Sequence, residues 1–235
     1  MSKDYSSPVS QLLTFGDCRG FGEWPNYLDL GLGPEHADEL IEMATDEELN
    51  WADPDDLGIW APVHAWRALG QLRATVAIEP LLHLFHELED NDWASDELPV
   101  VYGMIGREAI PALSRYLEDE RFGLYPHIAA AGGLKQIGLT DPSARAACVE
   151  ALSRSLERFG DNDPSLLKIR TRWEQALRQA VLKLPDIRFK VQPDTSAGAD
   201  GETIELVDGN DPATVDLQPQ QTQQRTQGRL DETRR

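Results

Sequence analysis

From Trp60 onward, apolar residues return every three or four positions, the spacing that keeps one face of a helix dry. Val63, Trp66, Leu69 and Leu72 form a first stripe. Ile78, Leu81, Leu82, Phe85 and Leu88 form a second, and Leu98, Val101, Met104 and Ile105 a third. Ala109, Ile110, Leu113 and Leu117 follow, then Ile128, Ala131, Leu134 and Ile137, then Val149, Leu152, Leu156 and Phe159. A longer helix is expected over Ser165–Leu184, with Leu166, Ile169, Trp173, Leu177, Val181 and Leu184 inward. Upstream the pattern is broken. Gly16, Gly20, Gly22, Pro25, Gly31 and Gly33 punctuate residues 1–33, where Leu12, Leu13 and Phe15 are expected to form a short helix. Pro34 then suits the first turn of a helix to about Ala44. Thr45, with Glu48 three residues on, reads as a capping box.

The stripes fall into pairs that resemble one another. "AIEPLLHLF" (Ala77–Phe85), "AIPALSRYL" (Ala109–Leu117) and "CVEALSRSL" (Cys148–Leu156) align on Leu81, Leu113 and Leu152. The helices before them close on "LGQL", "MIG" and "QIG", where glycine suits a left-handed C-cap. Two-helix units recurring at this period predict a stacked α-solenoid, because no single pair buries its own apolar face.

"APVHAWRALGQL" (Ala61–Leu72) followed by "AIEPLLHLF" resembles a bacterial HEAT-like repeat of the phycobilisome-lyase type. "IGREAIPALSRYLED" (Ile105–Asp119) and "DPSARAACVEAL" (Asp141–Leu152) are similar to other parts of that repeat. The resemblance covers roughly residues 34–185 and implies an all-α fold of stacked HEAT-like helix pairs. It implies function only broadly, since such repeats serve scaffolds, regulators and a few enzymes, bilin lyases among them. Similar bacterial chains often end in a cysteine-rich SEC-C zinc motif. No cysteine follows Cys148 here, so that motif is absent from this sequence.

The expected organisation is therefore an irregular segment over 1–33, the HEAT-like solenoid over 34–185, a segment over 186–217 and a Gln-rich tail over 218–235. In the third segment "IRFKVQ" (Ile187–Gln192) and "TIELVD" (Thr203–Asp208) have a strand-like pattern. They suit a small hairpin or an acidic linker equally. The tail holds almost no apolar residue and is expected to be disordered.

Charge sharpens the picture. The 235 residues carry a formal net charge of −19. Residues 1–100 hold 21 acids and 4 bases, 101–192 hold 11 and 14, and 193–235 hold 9 and 4. So acidic a first half disfavours nucleic acid, whose phosphates need lysine and arginine. No long uninterrupted apolar run is present, so no membrane helix is expected. Met1–Ser10 lacks an apolar signal region. Cys18 and Cys148 are too few for a disulfide framework. Together these predict a reduced, cytoplasmic protein.

Little in the chain suggests chemistry. His83, His86 and Glu87 share one helix face at i, i+3 and i+4, but the spacing is not HExxH, and they read as a polar solvent face, with no metal expected. His64 reads as a packing residue with one backbone hydrogen bond. "DNDWASDE" (Asp90–Glu97) fails the calcium-loop pattern and reads as a loop, with Ser95 or Asp96 capping the next helix. "DPDD" (Asp53–Asp56) also reads as a plain loop. Five tryptophans between Trp24 and Trp93 suit a core more than a binding rim. No phosphate loop, Ser-His-Asp or Cys-His arrangement is legible, and Arg19 is only one basic neighbour for Cys18. No cofactor is expected.

The reading is a non-catalytic interaction scaffold whose groove is lined by the second helix of each pair. Its candidate residues are His83, His86, Arg115, Tyr116, Arg154 and Arg158, placed on polar faces, with Arg115 and Arg154 in matching repeat positions. The expected partner is a protein, an acidic segment in particular. A bilin-lyase-like enzyme or chaperone, and an assembly factor acting through its disordered tail, are the alternatives.

Overall fold

The computed structural model describes residues 3–20, 23–53, 55–158, 187–193 and 202–208. The chain divides into two units, Met1–Lys183 and Leu184–Arg235. The described part of the first is helical throughout. Its α-helices are α1 (Ala37–Ala44), α2 (Glu47–Asn50), α3 (Ala61–Gln71), α4 (Ile78–Glu87), α5 (Asp92–Ile105), α6 (Ile110–Leu117), α7 (Leu124–Thr140) and α8 (Arg145–Arg158). In the second unit, β1 (Ile187–Pro193) pairs antiparallel with β2 (Glu202–Asp208), Phe189 opposite Leu206 and Val191 opposite Ile204. The all-α description thus applies to the described part of the first unit. The helix expected at Ser165–Leu184 and the tail over 218–235 lie outside the described residues, as does the side chain of Arg158. No described helix is long and apolar enough to cross a membrane.

Helices of the first unit form two rows. α1, α3, α5 and α7 pack in sequence order, each against the next, and α4, α6 and α8 line up beside them. α3 is enclosed on all sides: Ala61–Gly70 are all buried. The second row is amphipathic, with Leu81, Phe85, Leu113, Leu117 and Leu152 inward. A single 3-10 turn opens each of its helices: Thr75–Ala77, Arg107–Ala109 and Pro142–Ala144. The last alanine of each turn is buried.

These turns set a common register for α4, α6 and α8, and it differs from the sequence alignment. Leu81 and Leu113 each lie four residues past the buried alanine, and so does Cys148. Leu152 is one helical turn further on. Arg115 is consequently level with Glu150, and Arg154 sits one turn beyond it. The shared string "ALSR" in α6 and α8 misleads here, because backbone geometry places it four residues later in α8.

The glycine expectation also needs correction. Gly106 does end α5, at φ 100°. Gly70 and Gly138 lie inside α3 and α7. Gly70 is there for close packing: a Cβ would meet Met104 Sδ at 3.3 Å. Gly103 is tighter still, since a Cβ would lie 2.7 Å from Gln136 Cβ, so the α5–α7 approach depends on it. Capping differs in detail too. Asp46, not Thr45, caps α2, accepting from the Glu48 and Leu49 N–H groups, while the Thr45 hydroxyl donates back to Ile41 O. Asn91, not Ser95 or Asp96, caps α5, which therefore starts earlier than expected. Asp56 caps the 3-10 turn Leu57–Trp60, giving the acidic loop a structural task.

The irregular N-terminal segment is ordered by α3. The Tyr27 N–H donates to Gln71 Oε1 and Gln71 Nε2 donates to Pro25 O, both at 2.8 Å. Val9, Leu12, Cys18 and Tyr27 are buried in the same core as Leu69 and Met43.

Candidate functional site

α4 and α6 run side by side and leave an open groove of about 170 Å³. Its walls include His83 and His86 from α4, Arg115 and Tyr116 from α6, and Glu79, Asp119 and Phe122. Helical spacing explains the first four. In α4, Leu82 and Phe85 turn inward, so His83 and His86 fall on the adjoining face. In α6, Leu113 and Leu117 turn inward and Arg115 turns out.

Tyr116 is where expectation and structure part. It is buried, not displayed on a polar face. Its ring stacks on Phe122 with centroids 4.4 Å apart and planes 5° from parallel, and meets Phe85 edge-on at 5.7 Å. Its hydroxyl alone stays polar, 3.1 Å from His86 Nδ1. Tyr116 is thus the floor of the groove. His86 stacks on Phe122 at 4.5 Å and 26°. Burial, with His83 adding to it, lowers the His86 pKa against the opposing pull of Glu87 and Glu89. His86 is therefore mostly neutral at pH 7. Phe122 is carried by the turn after α6, where His127 contacts the carbonyls of Asp119 and Gly123. Asp119 stays ionised, because the hydrogen bond from Arg121 holds its carboxyl down to about 2.

The arginines are exposed and paired. Arg115 bonds Glu79 on the neighbouring helix. Arg154 donates to Glu150 at 2.6 Å and lies 3.8 Å from Glu118. The basic row is therefore interleaved with acids, and Arg154 is not a wall of the groove. His83, His86 and Glu87 do converge: one ligand atom from each lies within 4.8 Å of the others.

A second cluster, buried and unforeseen, lies under the N-terminal segment. His64 is fully enclosed, with Nε2 2.9 Å from Gly16 O and Nδ1 2.7 Å from the Tyr27 hydroxyl. A carbonyl only accepts, so Nε2 carries the proton and Nδ1 accepts from Tyr27. Cys18 Sγ sits 3.5 Å from the same ring. This Cys–His contact spans 46 residues, and nothing local in the sequence announces it. It is not a nucleophile pair, because burial pushes the Cys18 thiol up to about 12 and keeps it protonated. Arg19 does not activate the thiol, being held by Asp17. Beside them Arg67 Nε donates to Glu97 Oε2 at 2.7 Å, with its guanidinium 5.0 Å from the Trp24 ring centre and 5.8 Å from that of Trp93. Trp24 and Trp93 thus face one buried cation, while Trp51, expected in the core, is 67% exposed.

No family model, curated protein or solved structure matches the chain. Its functional reading rests on the geometry above.

Proposed function

We propose that this chain is a non-catalytic adaptor, an α-solenoid of HEAT-like helix pairs that holds an acidic segment of a partner protein in the groove between α4 and α6. The observation that carries this reading is the convergence of His83, His86, Arg115 and Tyr116, from two successive second-row helices, on one open groove. Its volume is below the roughly 300–1,000 Å³ usual for a small-molecule pocket. It suits side chains of an extended segment better than a cofactor. The Tyr116–Phe122 floor offers an apolar anchor of the kind that dominates binding energy. Arg115 is the wall cation that an acidic visitor would meet. Exposed pairs are worth only about 0–1 kcal/mol, so a partner carboxylate replaces Glu79 on Arg115 at little cost. The solenoid reading is supported by the two rows and by the three-residue 3-10 turn that opens each of α4, α6 and α8. Sparse, unpaired cysteines support a cytoplasmic setting.

The test is a peptide-display selection on the full chain, repeated on the Arg115→Glu/Arg154→Glu double variant with its helicity checked by circular dichroism. Enrichment of acidic peptides on the parent, lost on the variant, is the expected result. Acidic peptides enriched equally on both, or no acidic bias on the parent, overturns the proposal.

A further inference from the structure

His83, His86 and Glu87 were read from sequence as a solvent face. Their placement allows more. The three sit on consecutive turns of α4, and their ligand atoms lie within 4.8 Å of one another. A tetrahedral ion with ligands at 2.0–2.1 Å needs ligand atoms about 3.3 Å apart. The gap is closed by rotating side chains, and His83 and Glu87 are exposed enough to do so.

His86 is the fixed member. It is half-buried, stacked on Phe122 at 4.5 Å, and its Nδ1 lies 3.1 Å from the Tyr116 hydroxyl. A metal-bound histidine needs such a partner. When its second ring nitrogen donates to a fixed acceptor, the tautomer and the ring orientation are set for the ligand nitrogen. The buried Tyr116 hydroxyl can accept from Nδ1–H, which leaves Nε2 as the nitrogen for an ion. An isolated pair of surface histidines has no such support. Here the support comes from a different helix, 30 residues along the chain.

We infer that His83, His86 and Glu87 form a divalent zinc site at the edge of the groove, with Tyr116 positioning His86. Two imidazoles and one carboxylate are a borderline nitrogen-oxygen set. That set suits zinc, whereas calcium and magnesium prefer oxygen ligands in larger number. Three protein ligands leave one position for water or an incoming ligand atom. The site stands independently of whether the groove binds a protein segment.

Isothermal titration of the tag-free full chain with ZnCl2 tests this, with Co²⁺ absorption in the visible range reporting ligand geometry. Wild type is expected to take up one Zn²⁺ in the micromolar range and to give the visible bands of four-coordinate cobalt. His83→Ala is a surface change that leaves the fold intact by circular dichroism, and it should weaken binding at least about 10-fold; Tyr116→Phe should weaken it by about 10-fold through His86. The His83→Ala/His86→Ala double variant should lose the event and the bands. A double variant that binds like wild type overturns the site, as does a wild type with no one-to-one uptake. Tyr116→Phe with unchanged affinity overturns the positioning role.

Discussion

Arg67 reaches across 30 residues to Glu97, and Arg115 across 36 to Glu79. The bonds have the same chemistry, but their surroundings differ in every respect. The Arg67 side chain is 2% exposed and its partner 12%. For Arg115 and Glu79 the values are 62% and 63%. Arg67 has tryptophans on two sides, and Trp66 Nε1 donates to the same Glu97 oxygen at 3.3 Å. Arg115 has water. Taking two charges out of solvent is expensive, and the interior restores that only while both partners and their hydrogen bonds persist. On the surface neither the cost nor the gain is large. The same residue types therefore tie α3 to α5 through a buried pair in one region and make a solvent-exposed pair in the other.

Breaking the buried pair is the most severe way to probe this contrast. Arg67→Ala leaves Glu97 charged without its partner and should cost about 3–5 kcal/mol. Urea unfolding monitored by circular dichroism measures it, and a loss under about 1 kcal/mol would show that Glu97 escapes to water. The effect exceeds simple truncation because Trp24 and Trp93 also lose the cation they face.

The next effect is a pH dependence carried by His64. Burial lowers its pKa, with Arg67 acting in the same direction and the Gly16 bond and Glu97 opposing. The folded pKa is thus below the ordinary value near 6.5, so the unfolded chain binds the proton more readily. The stability is full above about pH 6.5 and falls as pH drops from there toward the folded pKa, at up to about 1.4 kcal/mol per pH unit. Protonating Nδ1 also removes the acceptor for the Tyr27 hydroxyl. His64→Gln should flatten the stability profile between pH 6.5 and 5 relative to wild type. Parallel profiles for the two proteins would remove His64 from the account.

At the exposed rim the expected change is smallest. Arg115→Ala should shift stability by under about 1 kcal/mol, and added salt should erase the difference. A shift as large as that of Arg67→Ala would mean that the two regions do not differ.

Much of the helical pattern was legible because α3 to α6 each carry an apolar stripe of clear period. α7 is apolar nearly all round, and the stripe read there was partly misplaced: Ile128 and Ala131 are only half-buried, while His127 and Ala130 are buried. In α8 the inward face holds Cys148, Ala151, Leu152 and Ser155, with Val149 at its edge. Small and polar residues hid that face. The groove was half legible. Helical spacing brought His83, His86 and Arg115 together, but Tyr116 was placed outward because tyrosine fits a rim or a core. Glu79, Asp119 and Phe122 were missed because they join the groove only once α4 and α6 pack. The Cys18–His64–Arg67–Glu97 cluster was illegible for a related reason. Its members come from a glycine-rich segment and two helices, and no sequence period links them.

The covering of α3 by α1 and by the turns Val9–Thr14 and Tyr27–Leu30 gives the row of first helices a polarity. The α1 end of the row is closed by irregular chain, with Val9, Leu12, Cys18 and Tyr27 buried there. Proteolytic clipping ahead of Ala37 would strip away Val9, Leu12, Cys18 and Tyr27 and open to water the α3 surface they cover.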